Sequence, residues 1–296
     1  MIYEYAVSPG LFSNSKDVGF LLDSFGKGKG RLISKVPNKK WINMAFQEIS
    51  RSSCGQMEKK KLKNAANKLF RHASYARPAD QSGSPATTWI ELALLANKMR
   101  PFRGILVEQC ERNQDEILVN DLDLRDDPLW KVSPSVTVAR DAVQMMNIVQ
   151  PMLDSAKEVA FVDRNFNPGQ ERFVNVLLEC IDRVSSKRHG PKVQKITYHL
   201  GDKNITDSFI QDKMGRYANR IPADFVIEFT LRPWDEMHDR FILTDIGGVE
   251  FGVGLDESLG GGSKNVRIKI MPDDDYRAER AKVQQTKPVC FIAGRQ

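Results

Sequence analysis

The chain has 296 residues, 41% hydrophobic and 28% charged, with 44 Lys+Arg against 38 Asp+Glu and a formal net charge of +6. That length holds two domains of ordinary size, and no apolar run approaches the ~20 residues of a membrane-spanning helix. The charge is uneven: residues 1–100 hold 17 Lys+Arg against 7 Asp+Glu, and the remainder 27 against 31. A basic excess at one end suits a polyanion, either nucleic acid or an anionic membrane surface.

The first residues, Met1-Ile2-Tyr3-Glu4-Tyr5, lack the basic and long apolar stretches of a signal peptide, so a cytoplasmic location is expected. Residues 2–7 read as a strand, closed by a turn at Ser8-Pro9-Gly10. Phe25-Gly26-Lys27-Gly28-Lys29-Gly30-Arg31 alternates glycine with cations and reads either as a solvated loop or as a run laid along phosphates. It is not a Walker A loop, because no Gly-Lys-Ser/Thr is present. Residues 57–72 carry Leu62, Ala65, Ala66, Leu69 and Phe70 at helical spacing, with Lys59, Lys60, Lys61, Lys63, Lys68 and Arg71 on the remainder. This basic amphipathic helix is either a solvated face or a polyanion-binding one. The cations nearby, including Lys35, Lys39 and Lys40, favour the second reading, with Lys27, Lys29, Arg31, Lys59, Lys60 and Lys63 as candidate nucleic-acid contacts.

Ser84-Pro85 reads as an N-cap and first turn of a helix reaching Met99, with Trp89, Leu92, Leu95 and Met99 inward. Residues 104–109 and 116–119 read as strands. The aspartates 121, 123, 126 and 127 form a solvated turn and a domain linker rather than a metal cluster. Four scattered cysteines, Cys54, Cys110, Cys180 and Cys290, and the scattered histidines His72, His189, His199 and His238 imply reduced thiols, no metal site and no cofactor. From Pro134 onward helices and strands alternate: helices at 139–153, 170–185, 205–218 and 273–285, and strands at 159–163, 195–200, 224–231 and 266–270. His199, alone in its strand, reads as a satisfied core or rim residue rather than a catalytic one. The pattern is α/β: residues 131–296 form a mixed sheet flanked by helices, preceded by a basic α+β domain over 1–130.

The most informative stretch is Met237-His238-Asp239-Arg240-Phe241-Ile242-Leu243-Thr244-Asp245, read as a strand that turns at Gly247-Gly248 into a second strand. Strand alternation would send His238 and Arg240 to one face, where a guanidinium could grip a phosphodiester and an imidazole attack it or move a proton. His238-x-Arg240-x4-Asp245, followed by Gly252, resembles the H-x-K-x4-D-x6-G-S motif of the phospholipase D-like superfamily. Arg240 replaces its lysine and Val253 its serine. With the downstream Gly252-Val253-Gly254-Leu255-Asp256, the pattern is most similar to the phospholipase D-like C-terminal domain of MIT-domain proteins and to bacterial relatives. Val162-Asp163-Arg164-Asn165-Phe166 loosely resembles the family's first-strand signature.

The resemblance implies a phospholipase D-like phosphodiesterase, a metal-independent nuclease, in which His238 attacks phosphorus, Arg240 binds oxygens and Asp245 orients His238. Gly252, Gly254 and Lys264 would bind phosphate. One motif copy implies a homodimer for activity, with each chain donating His238 and Arg240. The alternative is a catalytically silent module that binds nucleic acid or anionic phospholipid, or an interaction subunit with other proteins, for instance in a bacterial defence complex.

Overall fold

A computed structural model describes residues 1–38, 40–76, 88–108, 117–119, 127–186, 190–259 and 264–295. The chain divides into two compact units, Ile2–Ser133 and Pro134–Gln296. Both are α/β. Several expectations lie outside the described residues: the cap at Ser84-Pro85, the aspartates 121, 123 and 126, His189, Cys110 and Lys39. Among the described residues Cys54, Cys180 and Cys290 form no disulfide. Among the described residues no helix is long and apolar enough to cross a membrane.

The first unit runs β1 (Tyr3–Val7), α1 (Ser15–Ser24), β2 (Arg31–Ser34), α2 (Trp41–Arg51), α3 (Gln56–His72), β3 (Ser74–Tyr75), α4 (Trp89–Met99), β4 (Gly104–Val107) and β5 (Ile117–Val119). Its sheet has the order β3-β2-β1-β4-β5 with every pairing parallel. The α+β expectation for this half is therefore corrected to an alternating α/β layer, because parallel neighbours require crossovers and the helices supply them. The predicted stripe of α3 turns inward, with Leu62, Ala66 and Leu69 buried. Helix α4 starts at Thr88, whose hydroxyl accepts from the Glu91 amide in a capping box. Its buried face is Trp89, Ala93, Ala96 and Asn97, while Leu95 and Met99 are exposed, against expectation. Alanines let a helix lie close against its neighbours, which a leucine face would hold off.

The second unit runs β6 (Ser135–Ala139), α5 (Ala142–Ser155), β7 (Val159–Val162), α6 (Glu171–Ser186), β8 (Lys195–Gly201), α7 (Asp207–Gly215), β9 (Val226–Arg232), β10 (Phe241–Thr244), β11 (Gly247–Phe251), β12 (Asn265–Ile270), α8 (Asp273–Gln285) and β13 (Cys290–Ala293). Its eight-stranded sheet has the order β13-β9-β8-β7-β10-β11-β12-β6. Strands β7, β8 and β9 are mutually parallel, and the other pairings are antiparallel. Two edge strands escaped the sequence reading, β6 and β13. Residues 139–141, expected to be helical, close β6 and cap α5, where the Asp141 carboxylate accepts from the Gln144 amide at 3.0 Å.

Register places Phe161, Tyr198 and Phe229 side by side across β7, β8 and β9. Their rings stack at 5.1 and 5.9 Å, and Phe166, from the loop after β7, lies 4.1 Å from Tyr198. The loop is thus anchored on the sheet by an aromatic contact worth ~1 kcal/mol beyond its buried area. The hairpin turn also differs from expectation. It falls at Asp245-Ile246, and Gly247 and Gly248 belong to β11, paired with Thr244 and Leu243. A Cβ on Gly248 would lie 2.7 Å from both Leu243 Cδ2 and Met271 Sδ, so this glycine serves packing under α8 rather than a turn.

Arg232, at the end of β9, is 4% exposed and its Nη1 lies 2.6 Å from Glu279 Oε1 on α8. Removing one member of such a pair strands a buried charge. Glu279→Ala is expected to cost about 3–5 kcal/mol in urea unfolding; a loss below ~1 kcal/mol would show that the pair carries no such role.

Candidate functional site

Strands β7, β8 and β9 run the same way, so the segments after them share one end of the sheet, at 163–167, 202–204 and 233–240. His238 and Arg240 arise from the third of these. They are not in a strand: Trp234–Glu236 is a short 3₁₀ turn and β10 begins only at Phe241. Strand alternation therefore does not set the direction of their side chains. Register does the work instead. Phe241 pairs with Val162 in antiparallel fashion, and the next position outward sets Arg240 opposite Asp163.

Asp163 is fully buried. Its Oδ1 accepts from the Asn165 amide at 2.9 Å and lies 3.8 Å from Arg240 Nε, while Oδ2 is buried without a hydrogen bond among the described residues. Burial pushes this carboxyl up to about 6, against the Asn165 amide and the Arg240 guanidinium, which pull it down, and with Asp256, which adds to the rise. Among the described residues nothing accepts from Arg240 Nη1 or Nη2. His238 and Asp239 are exposed, so the outward-facing groups here are one imidazole, one carboxylate and half of a guanidinium.

The remaining predicted site residues disperse. Asp245 sits at the far end of β10, ~13 Å of strand away, where its Oδ1 accepts from the Lys157 and Glu158 amides at 2.8 and 3.3 Å. It braces the start of β7 and does not orient His238. Gly252 spends its amide on the Arg267 carbonyl at 3.0 Å, continuing the β11–β12 ladder. Lys264 is exposed, and its carbonyl accepts from the Arg140 amide at 2.8 Å. Gly254 lines the pocket next to Asp163. His199 is 1% exposed, with Nδ1 3.3 Å from Thr286 Oγ1, and burial followed by Arg232 pushes its imidazole down to about 4, so it stays neutral inside the protein.

In the first unit the predicted cations divide by role. Lys29 Nζ donates to the Leu22 and Asp23 carbonyls at 3.0 and 2.7 Å, closing α1, and Lys59 Nζ donates to the Ser50 carbonyl at 2.8 Å, in the last turn of α2. Arg31 turns inward, its guanidinium 4.4 Å from the Trp130 ring centroid and Nη2 donating to the Trp130 carbonyl at 2.7 Å. Lys27 and Lys63 are half-exposed, and Lys60, with its neighbours Lys61 and Lys68, is exposed on α3.

Next to Asp163 the second unit holds a pocket of about 300 Å³, walled by Arg140, Asn165, Asn167, Gln170, Arg172 and Asp256, with Gly254 and Val253 at its side. Asp256 is buried and held between two arginines: Arg140 through Nη2, and Arg172 through Nη1 at 2.8 Å. Arg140 Nε also donates to the Asp256 carbonyl at 2.9 Å. Of these residues only Asp163, Asn165, Val253, Gly254 and Asp256 lie in stretches that the sequence singled out. Nothing local marks Arg140, Asn167, Gln170 or Arg172.

No family model matches the chain. No curated protein matches it either. Among solved structures, a similar one is TrmBL2, an archaeal chromatin protein with a novel mode of DNA binding, at 14% identity and a TM-score of 0.29. The match covers 54% of this chain and 55% of that one, so the chain spans about half its length. At that score the likeness carries no argument.

The Asp163 carboxyl gives the site a pH signature. Its folded value of about 6 stands above the ~3.9 of an unfolded aspartate, so its contribution to stability is full below ~4 and lost as pH rises through 6. Asp163→Asn is expected to gain on the wild type by on the order of 2–3 kcal/mol between pH 4 and 7.5, measured as the difference of unfolding free energies. A difference that stays flat over that range would place the carboxyl at an ordinary value.

Proposed function

We propose that the chain is a phospholipase D-like module that grips phosphodiester groups of nucleic acid at the carboxyl end of β7, β8 and β9. The observation that carries this reading is Arg240, whose Nε lies 3.8 Å from the buried Asp163 carboxylate without a hydrogen bond to it, and whose Nη donors have no partner among the described residues. A guanidinium fork so presented fits two oxygens of one phosphate. His238, two residues earlier, is exposed, and this reading has it meet the same group. The motif His238-x-Arg240-x4-Asp245, together with three parallel strands followed by an antiparallel hairpin, supports the family reading. The basic surplus of residues 1–100 and the exposed Lys60, Lys61 and Lys68 support nucleic acid over a neutral ligand.

Binding without turnover is the leading form of this function, because Asp245 is too far to fix the tautomer of His238 and no other described group does so. Cleavage is the second form. The exposure of His238 would let two copies face each other, one imidazole forming the P–N bond as the P–O bond breaks, the other giving its proton to the leaving oxygen. Water would then release the phosphate from the histidine.

A metal-free assay on labelled single- and double-stranded DNA and RNA, with light scattering, separates the two. The expected result is binding without cleavage, by wild type and His238→Ala alike. Cleavage lost in His238→Ala, with phosphate trapped on histidine and a dimer in solution, would establish the second form. Replacing Lys60, Lys61 and Lys68 by Gln is expected to weaken binding to all sequences alike and to flatten the log–log salt dependence by about 0.9 per lost phosphate contact. An unchanged slope would remove α3 from the interface.

A further inference from the structure

The pocket beside Asp163 has a lopsided hydrogen-bonding inventory. Most of its acceptors are engaged by the protein. Asn167 Oδ1 accepts from the Gly169 amide at 2.9 Å, and Gln170 Oε1 accepts from Arg172 Nε at 2.9 Å. Both Asp256 oxygens are held by the two arginines, and Asp163 Oδ1 takes the Asn165 amide. Asp163 Oδ2 and the Asn165 side-chain oxygen, both in the lining, have no hydrogen bond among the described residues. Donors outnumber them: the NH₂ groups of Asn165, Asn167 and Gln170, Arg140 Nη1 and Arg172 Nη2, none of which has a partner among the described residues.

Charge points the same way. Arg140 and Arg172 answer Asp256, and Arg240 answers Asp163, so the surroundings carry a surplus of one positive charge. Helix α6 begins in this wall, bringing the positive end of its dipole. A cavity of about 300 Å³ is large enough for a phosphoryl group with part of the sugar it is joined to. An acceptor-rich anion meets the more numerous free groups there, the donors of two guanidinium and three amide side chains, whereas a donor ligand would find only Asp163 Oδ2 and the Asn165 oxygen.

We propose that this pocket is a second phosphoryl subsite, seating the phosphate next to the one held by Arg240, so that the ligand is a strand with phosphodiesters in series, a polynucleotide, rather than a lipid with one. The serial part rests on the function proposed above; the phosphoryl pocket stands without it.

Two isosteric variants test it. Gln170→Glu and Asn167→Asp keep the oxygen that accepts from Arg172 Nε and from the Gly169 amide, and each replaces the free donor by an anionic acceptor. Calorimetric titration of the full chain with inorganic phosphate at pH 7.5 is expected to show each variant binding at least ~tenfold more weakly than wild type. Thermal melts of each variant coinciding with wild type would exclude misfolding. Thymidine 3′,5′-bisphosphate is expected to bind ~tenfold or more tightly than thymidine 5′-monophosphate, and to lose that advantage in Gln170→Glu.

Equal phosphate affinity in wild type and both variants, or none in wild type, overturns the pocket. Phosphate binding that obeys the variants, with no advantage for the bisphosphate, keeps the pocket but overturns the serial ligand, and the fault then lies with Arg240. Phosphatidylglycerol vesicles bound as tightly as the bisphosphate, with the same loss in Gln170→Glu, overturn the polynucleotide in favour of lipid.

Discussion

A carboxylate with no access to water terminates β7, and the site is arranged around the cost of keeping it there. Burying an ionised aspartate is expensive unless it is paired and hydrogen-bonded. Asp163 is answered on one side by the Asn165 amide and the Leu255 backbone, and on the other by Arg240. Those answers come from the loop after β7, the segment after β11 and the segment before β10. One buried charge thus ties three separate stretches together, and neither the guanidinium nor the pocket wall can move far without exposing it. The stacked rings of Phe161, Tyr198 and Phe229, with Phe166 laid across them, are the apolar floor that keeps water from the carboxylate.

The elements with strong periodicity were legible in the sequence. The α3 stripe and the strands at β7, β8 and β9 fall where apolar spacing puts them, and α8 where its acidic first turn does. Edge strands were not, since β6 is only partly covered and its burial does not alternate cleanly. The segment carrying His238 and Arg240 was read as strand because its residues alternate. The 3₁₀ turn at Trp234–Glu236 sets its path instead, and β10 starts only where pairing with β7 begins. The all-parallel first sheet was hidden because its strands are short and separated by unequal crossovers. Arg240 was singled out from its spacing to His238, but its 3.8 Å approach to Asp163 is a cross-strand contact that spacing cannot give. The pocket was the least legible part. Arg140 and Asp256 are 116 residues apart, and neither sits in a motif that would call for the other.

Charge counting shows the same limit. The excess of cations in residues 1–100 is real, yet Lys29 and Lys59 are occupied with helix-end carbonyls and Arg31 lies against Trp130. A lysine near a helix C-terminus finds carbonyls with no intrahelical partner and satisfies them. Only the structure separates such cations from those that remain on the surface, as on α3.

Gly254 has φ +155°, and a Cβ there would lie 2.3 Å from Asp256 Oδ1 and 2.8 Å from Arg140 Nη2. Any side chain at this position would push the acid out of the fork that holds it. The glycine is thus required twice over, once by its own backbone angle and once by the salt bridge folded against it, so the acid and its arginine can be held this close only where position 254 carries no side chain.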